Sequence, residues 1–365
     1  MRNRLFLVVI TLFIVLPFMT CSLPPNSLED LQDDPQQERL IESVKMPPGK
    51  IRIQDVKFSP DGTCLAVAGS FGILLYDTQT YDKPNLLTYD KPNLLRLEGH
   101  TGEICSIAFR PDGKTLAGAC QDGTVRLWDV NTRQQIRTFG INVHPMSNIT
   151  FSPDGKMIAS ASGRIDGVGN AYLWDADTGK CLRTFPVNTK GIVYDVTFSP
   201  DGNMLASSSD EPIISLWNVN TGKQIRTLTT HTGPIFSVVF SPDGRMLANR
   251  GPMENVISLW NVKTGQQIRT LRINAYPFVE DVAFSPDGKT IASVSGCIHL
   301  WNANTGQQIR TLFNGKYPST AKDVAFSPDG KTISCTGFHE AHVWDVETGK
   351  LIRLLISNPK VKPNQ

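Results

Sequence analysis

Between residues 51 and 356 the chain alternates short apolar runs with clusters of Pro, Asp, Asn, Thr and Gly. The stretch from 103 to 139 shows the rule. Glu103–Arg110, Thr115–Cys120, Thr124–Trp128 and Gln135–Phe139 each read as a strand, because β-branched, aromatic and small residues fill them and turn residues bound them. Pro111-Asp112-Gly113 breaks the first pair: proline presets φ, and glycine supplies the positive φ that a tight turn needs. Gln121-Asp122-Gly123 breaks the second pair, and Asp129 to Thr132 the third. Apolar or small residues occupy both faces of these strands. That pattern predicts four-stranded sheets covered on both sides.

The same pattern returns at long period. A Phe-x-Pro-Asp-Gly motif begins at Phe58, Phe109, Phe151, Phe198, Phe240, Phe284 and Phe326, with spacings of 51, 42, 47, 42, 44 and 42 residues. A second motif stays in phase with it, a Trp followed by Asp or Asn: Trp128, Trp174, Trp217, Trp260, Trp301 and Trp344, with Tyr76 in that place in the first unit. A third follows each, a Thr-Gly turn and then Gln-Ile-Arg-Thr-Leu or a variant, as at Gln267–Leu271. Only the first spacing is far out of line. Residues 80–95 are one eight-residue block written twice, TYDKPNLLTYDKPNLL; removing one copy turns 51 into 43. The block is therefore an insertion in a surface loop of one unit, where a doubled length costs only about 0.6 kcal/mol in closure entropy.

Seven in-phase copies of these motifs resemble the WD40 repeat family, over about residues 51–356. The resemblance implies an all-β fold, a seven-bladed β-propeller of four-stranded antiparallel blades, with strands running from the axis outward. It assigns Tyr76, Trp128, Trp174, Trp217, Trp260, Trp301 and Trp344 the structural place of the family's Trp. All seven units own an outer strand, the last being 351–356, and 40–45 is a second segment that could complete the ring. In the family a Gly-His pair joins Asp, a hydroxyl and Trp in a bracing network. Here Gly99-His100 is the one full pair, and Gly118, Ala119 and Cys120 fill the hydroxyl region of that unit. The networks are thus expected to be mostly absent, with Phe and Trp packing dominating stability.

Ahead of the repeats the chain changes character. Arg2 and Arg4 precede an apolar run from Leu5 to Met19, too short for a typical membrane span, and Cys21 follows. Residues 1–20 read as a signal peptide, and the run into Cys21 resembles a bacterial lipoprotein signal in which Cys21 is lipidated. Phe18 and Thr20 depart from the small and aliphatic residues such signals prefer. Residues 21–50 then form the anchor and a tether rich in Pro and acid; its 18 residues from 22 to 39 would reach about 20–25 Å as a flexible coil. Residues 357–365 are a C-terminal tail. The expected location is a bacterial cell envelope, lipid-anchored to a membrane, with a secreted or periplasmic soluble protein as the alternative. The remaining cysteines, Cys64, Cys105, Cys120, Cys181, Cys297 and Cys335, lie in apolar runs without CxxC spacing and read as buried free thiols.

Comparing the units with one another locates function. The Pro-Asp-Gly and Thr-Gly turns are nearly constant, and by family geometry both lie on the bottom face. The remaining connections lie on the top, and they vary. The candidate binding residues on those top loops are His144, Met146, Asp166, Lys190, Tyr276, Phe278, Tyr317 and His339, centred on the Tyr and Phe of units six and seven.

The formal charge is +2, with no basic stripe, which disfavours nucleic acid. GxSxG, HExxH and phosphate-loop motifs do not occur. His339-Glu340-Ala341-His342 is the one close His pair, and an offset of three along a strand puts the rings on opposite faces; it reads as a surface loop. The expectation is a monomeric, non-catalytic scaffold that binds a protein or peptide, without cofactor or metal. The alternative is a propeller enzyme or a small-ligand or metal-binding protein that uses the central channel.

Overall fold

The computed structural model describes residues 52–79, 96–97, 102–140, 145–163, 169–189, 191–230, 233–251, 255–273, 278–312, 322–337 and 340–355. Seven four-stranded antiparallel sheets follow one another along the chain, each built from four consecutive strands, as a seven-bladed β-propeller. Blade 2 has its strands at Ile104–Phe109, Thr115–Cys120, Thr124–Asp129 and Gln135–Gly140, within a residue of the bounds that turn chemistry predicts. The first strand of every blade is innermost, and these strands pack in order around the axis.

Among the described residues the ring closes without strand exchange. The inner strand of blade 1, Ile53–Phe58, packs on the first two strands of blade 7, Val324–Phe326 and Thr332–Thr336. Blade 7 keeps its own outer strand, Leu351–Leu355. The segment 40–45 lies outside the described residues.

Each core cluster fills the space between two neighbouring blades, and its largest side chain comes from the later blade. Trp128 packs on Ala66, Ala68 and Leu75 of blade 1, and Trp217 on Ala159, Leu173 and Phe185 of blade 3. Tyr76 takes this role at the closure, against Ala341, Val343 and Leu355 of the last blade. Tyr76 and all six Trp are buried. Stripping such a ring from a packed core costs about 3–5 kcal/mol.

The bracing network is better preserved than unit two suggested. Trp174, Trp217 and Trp301 donate Nε1–H to Ser160, Ser207 and Ser293 at 2.9 Å, and Trp260 donates to Asn249 Oδ1 at 2.7 Å. The Ser or Asn sits on the second strand, two residues after a buried Leu or Ile. Val67, Gly118 and Cys335 hold that place in the other blades, so what four blades keep is the Trp–Ser or Trp–Asn link of the network.

The constant turns also join blades. In blade 1, Ser59 Oγ donates to Asp61 at 2.6 Å and accepts from Cys64 N at 2.9 Å, while Gly62 stands at φ 73°. A Cβ at Gly62 would lie 3.5 Å from Pro328 of the last blade, and one at Gly244 would lie 3.4 Å from Pro200 of the blade before it. The motif therefore forms the turn and seats it on its neighbour's proline. The eight-residue duplication lies outside the described residues, yet its flank keeps register. Leu97 pairs with Ile73 and is buried, as Leu228 pairs with Ile214 and Leu271 with Ile257.

Two side-chain expectations are corrected. Cys181 is exposed, because an outer strand has one open side, and Cys64, Cys105 and Cys297 are partly exposed, whereas Cys120 and Cys335 are buried as expected. His342 belongs to a third strand, Ala341–Asp345, and is buried rather than on a surface loop; its Nε2 lies 3.2 Å from Glu340.

Candidate functional site at the mouth of the central channel

Neighbouring blades cover both faces of every inner strand, so an inner-strand side chain that packs in no inter-blade cluster and keeps partial exposure is read as facing the axis. Four residues before each motif Phe, all seven positions are partly exposed: Gln54, Cys105, Ser147, Tyr194, Phe236, Glu280 and Lys322. These positions open the inner strands, at the end where the variable connections lie. They form the upper wall of the channel. One residue before the Phe lies a lower ring of small or uncharged residues with one cation, Lys57.

Between the two rings lies a band of polar residues, and its carboxylates tie blade to blade. Asp55 Oδ2 accepts from Ile107 N at 2.7 Å, Asp195 Oδ2 from Val238 N at 2.8 Å, Asp281 Oδ2 from Val324 N at 3.1 Å and Asp323 Oδ2 from Val56 N at 2.8 Å. Each acceptor sits on one blade and each donor on the next, so four of the seven junctions carry this staple. Lys57 Nζ bridges Asp55 at 2.6 Å and Asp323 at 3.1 Å, at the junction where the ends of the ring meet. Burial disfavours the charged carboxylate and pushes Asp55 and Asp195 up to about 7, against Lys57 in the first case and two backbone N–H groups in the second. Asp323 is likewise raised by burial. Burial would lower Lys57, but its two carboxylate partners outweigh that and raise it.

On blades 4 and 5 the upper wall turns aromatic. Tyr194 and Phe236 meet edge to face, with ring centres 4.5 Å apart. The guanidinium carbon of Arg250 lies 4.8 Å above the Phe236 ring. Arg250 ends the second strand of blade 5, Met246–Arg250, and burial lowers its basicity. Tyr194, Phe236 and Arg250 are not among the candidate binding residues that the sequence suggested. A signal existed for the last, since Ala68, Ala119, Ala161, Ser208, Val294 and Thr336 fill its register position in the other blades.

The predicted loop residues fare differently. Met146 opens an inner strand, Met146–Phe151, and is fully buried against Ala117, Ala119 and Val125, so it fills a blade junction rather than meeting a partner. Phe278 is 40% exposed just before the inner strand of blade 6, Asp281–Phe284. His144, Asp166, Lys190, Tyr276, Tyr317 and His339 lie outside the described residues, as does Cys21. Among the described residues, no group of three His, Cys, Asp or Glu is arranged to hold a metal ion.

Fold and wall together define the class: a β-propeller whose axial channel opens among repeated blades. Residues 91–129, 179–218, 222–261 and 265–302 match the WD40 family model, described as "WD domain, G-beta repeat", so these four segments are similar to WD40 repeats. Each matched segment begins with the outer strand of one blade and continues through the three inner strands of the next, so every sequence repeat ties two blades together. The chain is also similar to the Target of rapamycin complex subunit wat1 of Schizosaccharomyces pombe, 34% identical over 29% of this chain and 32% of that protein. The Antiviral protein SKI8 of Saccharomyces cerevisiae is 38% identical over 25% of this chain and 24% of its own length. A WD repeat-containing protein of Synechocystis, sll1491, is 33% identical over 18% of this chain and 19% of its own. The match thus spans a third or less of each of these relatives.

Proposed function

We propose that the protein is a non-catalytic scaffold that takes a protein or peptide partner on its top face. The observation that carries this is the contrast between its two ends. At one end a ring of near-identical turns serves packing; at the other, length and residue type vary from blade to blade beside a partly aromatic axial wall. Similarity to a named subunit of a complex supports an assembly role. Affinity purification from the native host tests it, comparing wild type with Tyr276→Ala/Phe278→Ala/Tyr317→Ala after a check of folding. A specific protein recovered by wild type and lost by the variant supports the scaffold; equal recovery moves the site off these loops.

Export and tethering belong to the same proposal. Arg2, Arg4, the apolar run 5–19 and Cys21 support a lipoprotein-type signal, and the acidic, Pro-rich residues 22–39 support a tether that lets the propeller turn near a membrane. Radiolabelled palmitate should enter the protein in a bacterial host and fail to enter Cys21→Ser; equal labelling of both would sink the anchor.

A further inference from the structure

Arg250 is chemically out of place. Six blades carry Ala, Ser, Val or Thr at its register position, and one of those would fit here without burying charge. Its Nε is buried and has no hydrogen-bond partner, and its guanidinium makes no ion pair among the described residues. A largely desolvated cation without an acceptor is costly.

The carboxylates around it do not satisfy it. Asp195, Asp281 and Glu280 are its electrostatic neighbours. Asp195 is engaged with Val238 N, and Asp281 with Val324 N and Ser237 Oγ at 2.9 Å. They help keep the guanidinium charged without bonding it. Phe236 supports the guanidinium through its ring face, and Tyr194 buttresses Phe236 from the side. The result is a planar, pre-organised donor fork at the open end of the channel.

We propose that Arg250, held by Phe236 and Tyr194, is the seat for a carboxylate of the partner taken at the top face. This rests on the scaffold function proposed above. A guanidinium fork matches a carboxylate with two parallel N–H···O bonds. A cationic group is excluded by like charge and because Arg250 already covers the Phe236 face. A polyanion is disfavoured, since the three neighbouring carboxylates repel diffuse negative charge; only a short, bidentate contact overcomes that field. An acidic side chain and a chain-terminal carboxylate both have this chemistry.

The test uses the full-length protein, fluorescently labelled, on two arrays of short random synthetic peptides, one with free C-termini and one amidated. Selected peptides should be rich in Asp or Glu on both arrays, which names an acidic side chain, or appear on the free array alone, which names the terminus. The tightest peptide, followed by fluorescence anisotropy, should bind Arg250→Met about tenfold or more weakly, with Arg250→Lys in between, because lysine keeps the charge and loses the fork. Thermal melts establish that both variants fold. Neutral or basic selected peptides, affinity unchanged in Arg250→Met, or no selected peptide at all would overturn the inference. If a selected peptide is indifferent to Arg250→Met yet lost in Tyr194→Ala/Phe236→Ala, the top face stands and the carboxylate alone fails. Indifference to these variants and to Phe278→Ala removes both.

Discussion

Blade junctions are tied in two places, near the axis or at the rim, by opposite chemistry, and the junction of blades 4 and 5 carries both ties. Near the axis a buried carboxylate accepts from the next blade's backbone, as Asp55 does from Ile107 N. At the rim an arginine of the outer strand donates to the carbonyls of the next blade's Thr-Gly turn. Arg226 reaches Thr264 O at 2.9 Å and Lys263 O at 3.1 Å; Arg183 reaches Asn220 O at 2.7 Å; Arg269 reaches Asn304 O at 3.1 Å. Distances are alike, and burial is not. Water can replace a rim bond the moment it breaks, whereas an axial N–H deprived of its carboxylate has nowhere to turn. Solvent access, more than bond length, sets what such a contact is worth.

The largest expected effect is therefore axial. Asp55→Ala strands Ile107 N and removes the closest partner of Lys57, and should lower unfolding free energy by about 2–4 kcal/mol in urea titrations. Asp55→Asn keeps an acceptor without the buried charge and should recover most of the loss. Should both variants unfold alike, charge rather than hydrogen bonding holds the junction.

Next comes pH. Asp55 and Asp195 stand near 7 in the folded state against an ordinary 3.8, so the native protein holds their protons where the unfolded chain has released them. Their contribution is fully present below about pH 4 and is lost as pH rises towards 7. The turn carboxylates behave oppositely: hydrogen bonds from Ser59, Ser199 and Ser241 hold Asp61, Asp201 and Asp243 below the usual range, and their contribution is lost on acidification below about pH 4. Urea midpoints should thus peak near pH 4 and fall on both sides, and Asp55→Asn/Asp195→Asn should flatten the alkaline side alone. An unchanged slope in that variant would assign the dependence to other groups.

Smaller effects belong to the rim. Gly265 stands at φ 74°, and a Cβ there would lie 2.6 Å from Arg226 Cδ. Gly265→Ala should cost about 1–2 kcal/mol by thermal melt, from left-handed strain plus displacement of the arginine. Arg226→Ala should cost no more than about 1 kcal/mol, since its bonds are exposed. The double variant should cost less than the sum, because the alanine then meets no arginine. Strict additivity would show that the latch forms without touching the glycine.

Much of this architecture was legible before folding. The Phe and Trp periods marked seven blades, and the odd first spacing marked the duplication as an insertion, which the intact pairing of Ile73 with Leu97 bears out. The Gln-Ile-Arg-Thr-Leu run was visible too, without its meaning: the arginine contacts a turn some 37 residues further on. Met146 read as a loop residue because it follows a variable connection, and burial alone shows otherwise.

The number of blades, the order of strands and the constant face follow from turn chemistry and hydrophobic alternation, which act within a few residues and repeat in every unit. Which side chains meet across blades follows only from the folded ring. Asp323 caps Val56 N across 267 positions, a serine or asparagine braces four of the Trp, and Arg250 keeps a buried Nε with no acceptor among the described residues. Those outcomes depend on ring closure and on exclusion of water, which no local pattern records.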